Sequence, residues 1–141
     1  LKEMKIFLDA NVLVAVLNRE YPLFSLAARI LSLQDDERFS VYTSSICLAI
    51  AFYFAEKKSG TASAVKKISL LASRINIAPT GFNEVNQTIS SKHITDFEDG
   101  LEYYSAVNAG CSVIITEDTY DFHFSGIELL NCGQFIGKYF K

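Results

Sequence analysis

Apolar residues along this chain fall into short runs separated by amphipathic stretches, and the two kinds of segment alternate from end to end. Lys5–Leu8 reads as a short buried strand, and Val12, Leu13, Val16 and Leu17 then recur at helical spacing, predicting a helix over Ala10–Asn18. Pro22 suits the first turn of a second helix reaching about Gln34, with Leu23, Leu26, Ala27, Ile30 and Leu31 on one face, so that the two helices form a hairpin. Phe39–Thr43 follows as a strand, and Ser44 or Ser45 supplies an N-cap hydroxyl for a very apolar helix from Ile46 to about Lys57, expected to pack deeply. Ser59-Gly60 breaks the chain. A further amphipathic helix carries Val65, Ile68, Leu71 and Ala72, and Ile75–Ala78 is a brief strand ending at Pro79. After another short helix, Thr95-Asp96-Phe97-Glu98 matches a capping box in which Thr95 caps and Glu98 reaches back. The helix it opens is expected to run to Asn108 and stop at Gly110. Ser112–Thr116 is the clearest buried strand, Ile127–Leu130 a further one, and Cys132–Phe140 a closing helix.

Strands alternating with helices in this way predict an α/β fold whose sheet is mostly parallel and covered on both faces. In such sheets ligands bind beyond the carboxyl ends of the strands, so chemistry is sought in the residues that immediately follow them. Asp9 directly follows the first strand, and Asp118 and Asp121 follow Ser112–Thr116. Asp96 and Asp99, three apart, share the face of a helix that leads into that late strand. Each has an ordinary alternative: Asp9 as a helix cap, Asp96 and Asp99 as partners of a helix dipole, Asp118 as a turn residue. Gathered together they repel, by roughly 4 kcal/mol for two unit charges about 4 Å apart at an effective dielectric near 20, and a divalent cation is the simplest compensation. Oxygen donors without a neighbouring Cys or His pair favour Mg²⁺ or Mn²⁺ over zinc.

Composition narrows the field further. The 141 residues suit one domain, 1–141; half are hydrophobic and 21% charged, which argues against disorder, and no apolar run approaches the about 20 residues of a membrane span. Met4 reads as the native start, with Leu1–Glu3 as a remnant ahead of it. The lack of a charged, apolar leader and the three isolated cysteines, Cys47, Cys111 and Cys132, predict a cytoplasmic protein with free, buried thiols. Net charge is only −3, but every formal charge from Lys57 to Asn83 is positive and every one from Asp96 to Glu128 is negative. Lys57, Lys58, Lys66 and Lys67 are therefore candidates for phosphate contacts, against the reading that both segments are solvated helix faces. His93 and His123 lack a partner at metal-ligand spacing, and Phe97, Tyr103 and Tyr104 read as core and rim. Ser44, Ser45 and Thr116 are placed to orient a ligand, or else to cap a helix or end a strand. The absence of a glycine-rich phosphate loop, a G-x-S-x-G elbow or a Cys with an evident His base leaves nucleophilic and nucleotide-cofactor chemistry unsupported.

Three segments taken together resemble the PIN domain family, whose VapC-like members are toxin ribonucleases. They are Ile6-Phe7-Leu8-Asp9-Ala10-Asn11-Val12-Leu13, Asp96-Phe97-Glu98-Asp99-Gly100-Leu101-Glu102-Tyr103, and Val113-Ile114-Ile115-Thr116-Glu117-Asp118-Thr119-Tyr120-Asp121-Phe122. The resemblance implies a PIN-like, Rossmann-like three-layer fold, an about five-stranded parallel sheet flanked by helices, with acids around Mg²⁺ or Mn²⁺ at its carboxyl edge. It makes Asp9, Asp99 and Asp118 the metal-site acids, Asp121 an additional acid, and Asn11 and Thr116 polar supports. It further implies RNA as substrate, a small antitoxin as partner and a homodimer. One position departs: where the pattern places a Glu in the helix after the second strand, this chain has Ile50. Glu56 does not substitute, since six residues along a helix turn it by about 240° at roughly 3.6 residues per turn; either Asp96 compensates or catalysis is weak or lost. Two rivals stay open: a PIN domain without catalysis that binds RNA or a protein, and a phosphoryl-transfer domain of the haloacid-dehalogenase kind with Asp9 as nucleophile. The latter expects an acid two residues after Asp9, where Asn11 stands.

Overall fold

The computed structural model describes residues 3–140, so Leu1 and Lys2 of the expected remnant, and Lys141, lie outside the described residues. The elements are β1 (Met4–Leu8), α1 (Ala10–Leu17), α2 (Leu23–Leu31), β2 (Phe39–Ser44), α3 (Ser45–Ser59), α4 (Thr61–Arg74), β3 (Asn76–Ala78), α5 (Phe82–Ser90), α6 (Phe97–Asn108), β4 (Val113–Ile115), β5 (Glu128–Leu130) and α7 (Cys132–Tyr139). Single 3₁₀ turns at Ser32–Asp35 and Thr119–Phe122 complete them. The predicted strands and helices are all present, within a residue or two of their expected ends except at the end of α2. No helix among the described residues is long and apolar enough to cross a membrane.

The five strands form one sheet in the order β3-β2-β1-β4-β5, and every neighbouring pair is parallel. β1 is central: Ile6 stands beside Val41 on one side and Val113 on the other, all three essentially removed from water. A strand covered on both faces needs no alternation, which is why Ile6-Phe7-Leu8 and Val113-Ile114-Ile115 are uninterrupted apolar runs. The chain builds β1, β2 and β3 outward in one direction, then crosses through α5 and α6 to lay β4 and β5 on the other side. That reversal opens a crevice at the carboxyl ends of β1 and β4, the place where open parallel sheets hold ligands.

Three expectations are corrected by packing. The apolar run of α3 buries one stripe only, Cys47, Ala51 and Ala55, while Tyr53 and Phe54 stand 56% and 44% exposed; α3 lies against α1 and α4 rather than inside the molecule. On α4 Leu71 is buried and Ile68 packs against the core as expected, while Ala64 is buried in place of Val65, which is half exposed. Second, α2 ends at Leu31, short of Gln34, and the turn that follows turns the Gln34 amide oxygen onto Val41 N at 2.8 Å. Third, the Thr95–Glu98 capping box does not form. Asp96 is the N-cap of α6 and accepts from Asp99 N at 2.9 Å, because a carboxylate serves the orphan amide and the helix dipole at once.

Candidate metal centre

Asp9 is held at the carboxyl end of β1 by its neighbours on both sides. Its backbone amide donates to Ile115 O across the β1–β4 pairing, which fixes the main chain, and three groups reach its carboxylate. Ala10 N lies 2.6 Å from Oδ1, the Thr116 hydroxyl donates to Oδ2 at 2.8 Å, and the Cys47 thiol lies 3.9 Å from Oδ1. Thr116 ends β4 and joins three residues through one oxygen: besides donating to Asp9 it accepts from Asn11 Nδ2 at 3.1 Å and from Asp118 N at 3.0 Å. Asn11 closes the network by accepting from Glu117 N. The two supports expected beside Asp9 therefore touch it or touch each other. Asn11 is engaged with Thr116 and Glu117, so no acid stands two residues beyond Asp9 as a phosphoaspartate mechanism would need.

A cavity of about 570 Å³ opens over this network. Asp9, Asp99, Asp118 and Asp121 all line it, together with Asn11, but among the described residues the acids and thiol whose ligand atoms lie within 4.8 Å of one another are Asp9, Cys47 and Glu102. Glu20, Glu98 and Glu102 line it as well, giving seven carboxyl groups and no lysine, arginine or histidine. Such a surface concentrates negative potential and attracts cations. Burial raises the carboxyl pKa of Asp99 to about 7, with the charges of Asp96, Asp121, Asp9 and Glu98 adding to it. Glu102, 2% exposed, is pushed up to about 10, first by burial and then by Asp9. Asp121 is raised chiefly through the hydrogen bond it shares with Asp118. Burial, then Glu102 and Asp9, also hold the Cys47 thiol far above its ordinary range, so it is a neutral donor to Asp9. The donors facing the cavity are hard oxygens, and the repulsion among them is what a divalent cation relieves, so the residues present fit Mg²⁺ or Mn²⁺.

Other expected residues are placed elsewhere. Asp96 caps α6 and lines an adjoining cavity with Asp99, Asp121, Tyr120 and His123, not the one over Asp9. Ser44 is fully buried and caps α3 through Cys47 N at 3.2 Å, which positions the thiol beside Asp9. Tyr103 is structural, accepting from Gly126 N and packing on Phe124, and Glu56 accepts from Thr61, away from the cavity. Ile50 does line the cavity, so the expected acidic position faces the site but carries no acid. Lys57 and Lys58 stand one turn beyond Phe54, which also lines it, on the same stripe of α3 as Ile50. Lys67 borders a separate apolar cavity with Arg19 and Arg74, so the four lysines do not form one surface around the acids.

Glu20, Glu98 and Glu102 join the cavity without following a strand, and Glu102 lies deepest. For Glu102 a sequence signal was present: three residues after Asp99 on a helix puts both on one face. Glu20 carried no such signal, since it reaches the cavity from the turn between α1 and α2.

An α/β sheet of this order with an acidic crevice at its switch point is the architecture of a PIN domain. The family model for the PIN domain matches residues 5–120, and the chain belongs to that family. Ribonuclease VapC1 of Aquifex aeolicus (strain VF5) is 26% identical over 141 residues, covering 96% of this chain and 95% of that protein. Among solved structures, a chain of VapBC2 from Rickettsia felis, bound to a DNA fragment from its promoter, superposes with a TM-score of 0.69 at 18% identity over 91% of this chain and 98% of that one. VapC20 of Mycobacterium tuberculosis, described as a Sarcin-Ricin loop cleaving toxin, gives 0.60 at 16% identity over 77% and 86%.

Proposed function

We propose that this chain is a divalent-metal-dependent ribonuclease of the VapC kind, restrained by a small antitoxin. The observation that carries the reading is the cavity at the sheet's switch point, walled by seven acids and no base and floored by an Asp9 that Thr116 holds in one orientation. Similarity to Ribonuclease VapC1 along nearly the whole chain supports RNA as the substrate class, and likeness to chains in VapBC complexes supports the antitoxin. Asp9, Asp99 and Asp118 would hold the Mg²⁺ or Mn²⁺, with Asp121 completing the set. Bound there, the cation would polarise the scissile phosphate and make its own water a nucleophile at neutral pH. The chain's part is orientation. Thr116, Ala10 N and the Cys47 thiol fix the Asp9 rotamer, Asn11 fixes Thr116, and the Asp96 cap fixes the first turn of α6 under Asp99. Lys57 and Lys58 attract the RNA backbone beside the cavity.

The test is a labelled single-stranded RNA incubated with the chain and Mn²⁺. Slow cleavage is expected, abolished by chelation and by Asp9→Asn with an unchanged circular dichroism spectrum. Ile50 on the cavity wall favours one second reading, a PIN domain that binds RNA or protein without cutting. Tight RNA binding with no cleavage by the wild type would establish that reading in place of the first.

A further inference from the structure

Glu102 is the most enclosed acid of the cavity. It sits in the middle of α6, where backbone amides are already committed to the helix, so no free amide is at hand to receive it. The hydrogen bonds inside the cavity converge on Asp9 and Thr116, and among the described residues no amide side chain, lysine or arginine donates to Glu102. What faces it is another acid. One oxygen of Glu102, one of Asp9 and the Cys47 sulfur all lie within 4.8 Å of one another. A thiol is a weak donor and does not compensate two carboxyl groups taken out of water. Glu102 and Asp9 share a hydrogen bond, and two carboxyl groups set this close offer a divalent cation a pair of oxygens once it displaces the proton between them. From α3 the cavity receives only Ile50 and Phe54, and so no oxygen from that helix.

We infer that Glu102 is an inner ligand of the divalent cation, paired with Asp9 on the floor of the cavity, and that it supplies from α6 the carboxylate that α3 lacks at Ile50. The metal centre is then not depleted: α6 contributes two ligands three residues apart, Asp99 toward the mouth and Glu102 toward the floor. Cys47 stays a thiol beneath the pair and orients Asp9. The inference rests on the reading of this cavity as a metal centre and on no assumption about the substrate.

Calorimetric titration of the full chain with Mn²⁺ tests it. Glu102→Gln keeps the shape and removes the charge, so the metal-free variant should fold as well as the wild type while its Kd for Mn²⁺ rises on the order of tenfold or more. If Glu102→Gln does not fold, Glu102→Asp withdraws the carboxylate by one methylene and should weaken Mn²⁺ in the same direction. Mn²⁺ affinity within about twofold of wild type in the folded variant would make Glu102 a buried structural acid and overturn the inference while leaving the metal centre intact. No uptake of Mn²⁺ or Mg²⁺ by the wild type itself would overturn the metal-centre reading first, and this inference with it.

Discussion

A single buried hydroxyl ties the candidate site to the sheet. Thr116 Oγ1 serves Asp9, Asn11 and the Asp118 amide, so Thr116→Val, which keeps the shape, unmakes three contacts at once. The expected cost is about 1–3 kcal/mol for the polar groups left unmatched, with Mn²⁺ affinity reduced roughly 10–100-fold because Asp9 loses its fixed orientation. Denaturant unfolding and calorimetry read the two effects separately, and an unchanged Mn²⁺ affinity would show that Ala10 N and Cys47 orient Asp9 alone. Residues of this kind were legible in the sequence because they end a strand or begin a helix, positions whose location at the sheet edge follows from strand order. Glu102 and Glu20 were not: one lies within a helix and the other in a turn between helices, and only the packed molecule aims them at a common point.

At the scale of elements, the position of α6 decides whether its acids reach the crevice. Gly100 lets α6 approach α5, since a Cβ there would come within 2.4 Å of Thr88 Cγ2 and 2.9 Å of Ile94 Cγ2. Gly100→Ala gains about 1 kcal/mol of helix propensity but forces the two segments apart, and overpacking of this sort costs typically about 1–3 kcal/mol. A net loss of stability together with weakened Mn²⁺ binding is expected; a stabilised variant would mean that Thr88 rotates aside without moving Asp99. The same docking is supported from below by Glu84, which accepts from Gly81 N and Asn108 Nδ2. The basic helices divide differently. Lys57→Ala with Lys58→Ala should weaken RNA binding and flatten its salt dependence, whereas Lys66→Ala with Lys67→Ala should do so less, because Lys67 borders another cavity. Equal salt slopes for the two double variants would remove that distinction. Helix existence was plain from spacing, but which face of α3 turned inward was not, since an apolar run carries no direction until neighbouring helices claim one side.

For the molecule as a whole, the acids set how stability changes with pH. Asp99 and Glu102 have raised pKa values in the folded chain, about 7 and about 10, so between their unfolded values near 4 and these limits the folded state holds protons that the unfolded state has released. Stability therefore falls as pH rises. The lowered carboxyls, Asp36 beside Arg38 and Glu84 beside Asn108, add stability that is already complete above about pH 5 and do not oppose this slope. Thermal melts of the metal-free chain should show Tm declining from pH 5 to 9, and Mn²⁺ should raise it most at the alkaline end, a hundredfold excess over Kd adding about 2.7 kcal/mol of stability. A Tm that is level or rises over that range without metal would contradict the burial of Glu102 as a neutral acid.

The sequence by itself determined the order and type of the elements, the parallel sheet and the acids that follow its strands, because periodicity, caps and turn residues act over a few positions. Set against the PIN pattern, it also marked Ile50 as the position without the expected acid. Which acid stands beside Asp9 was decided by tertiary structure alone: whether Asp96 or Glu102 faces the floor of the cavity depends on how α6 starts and how closely it packs on α5. Asp96 was drawn into capping the helix, and Gly100 let the next turn down bring Glu102 beside Asp9. Both outcomes follow from close packing between elements far apart in sequence, and no local pattern encodes that distance.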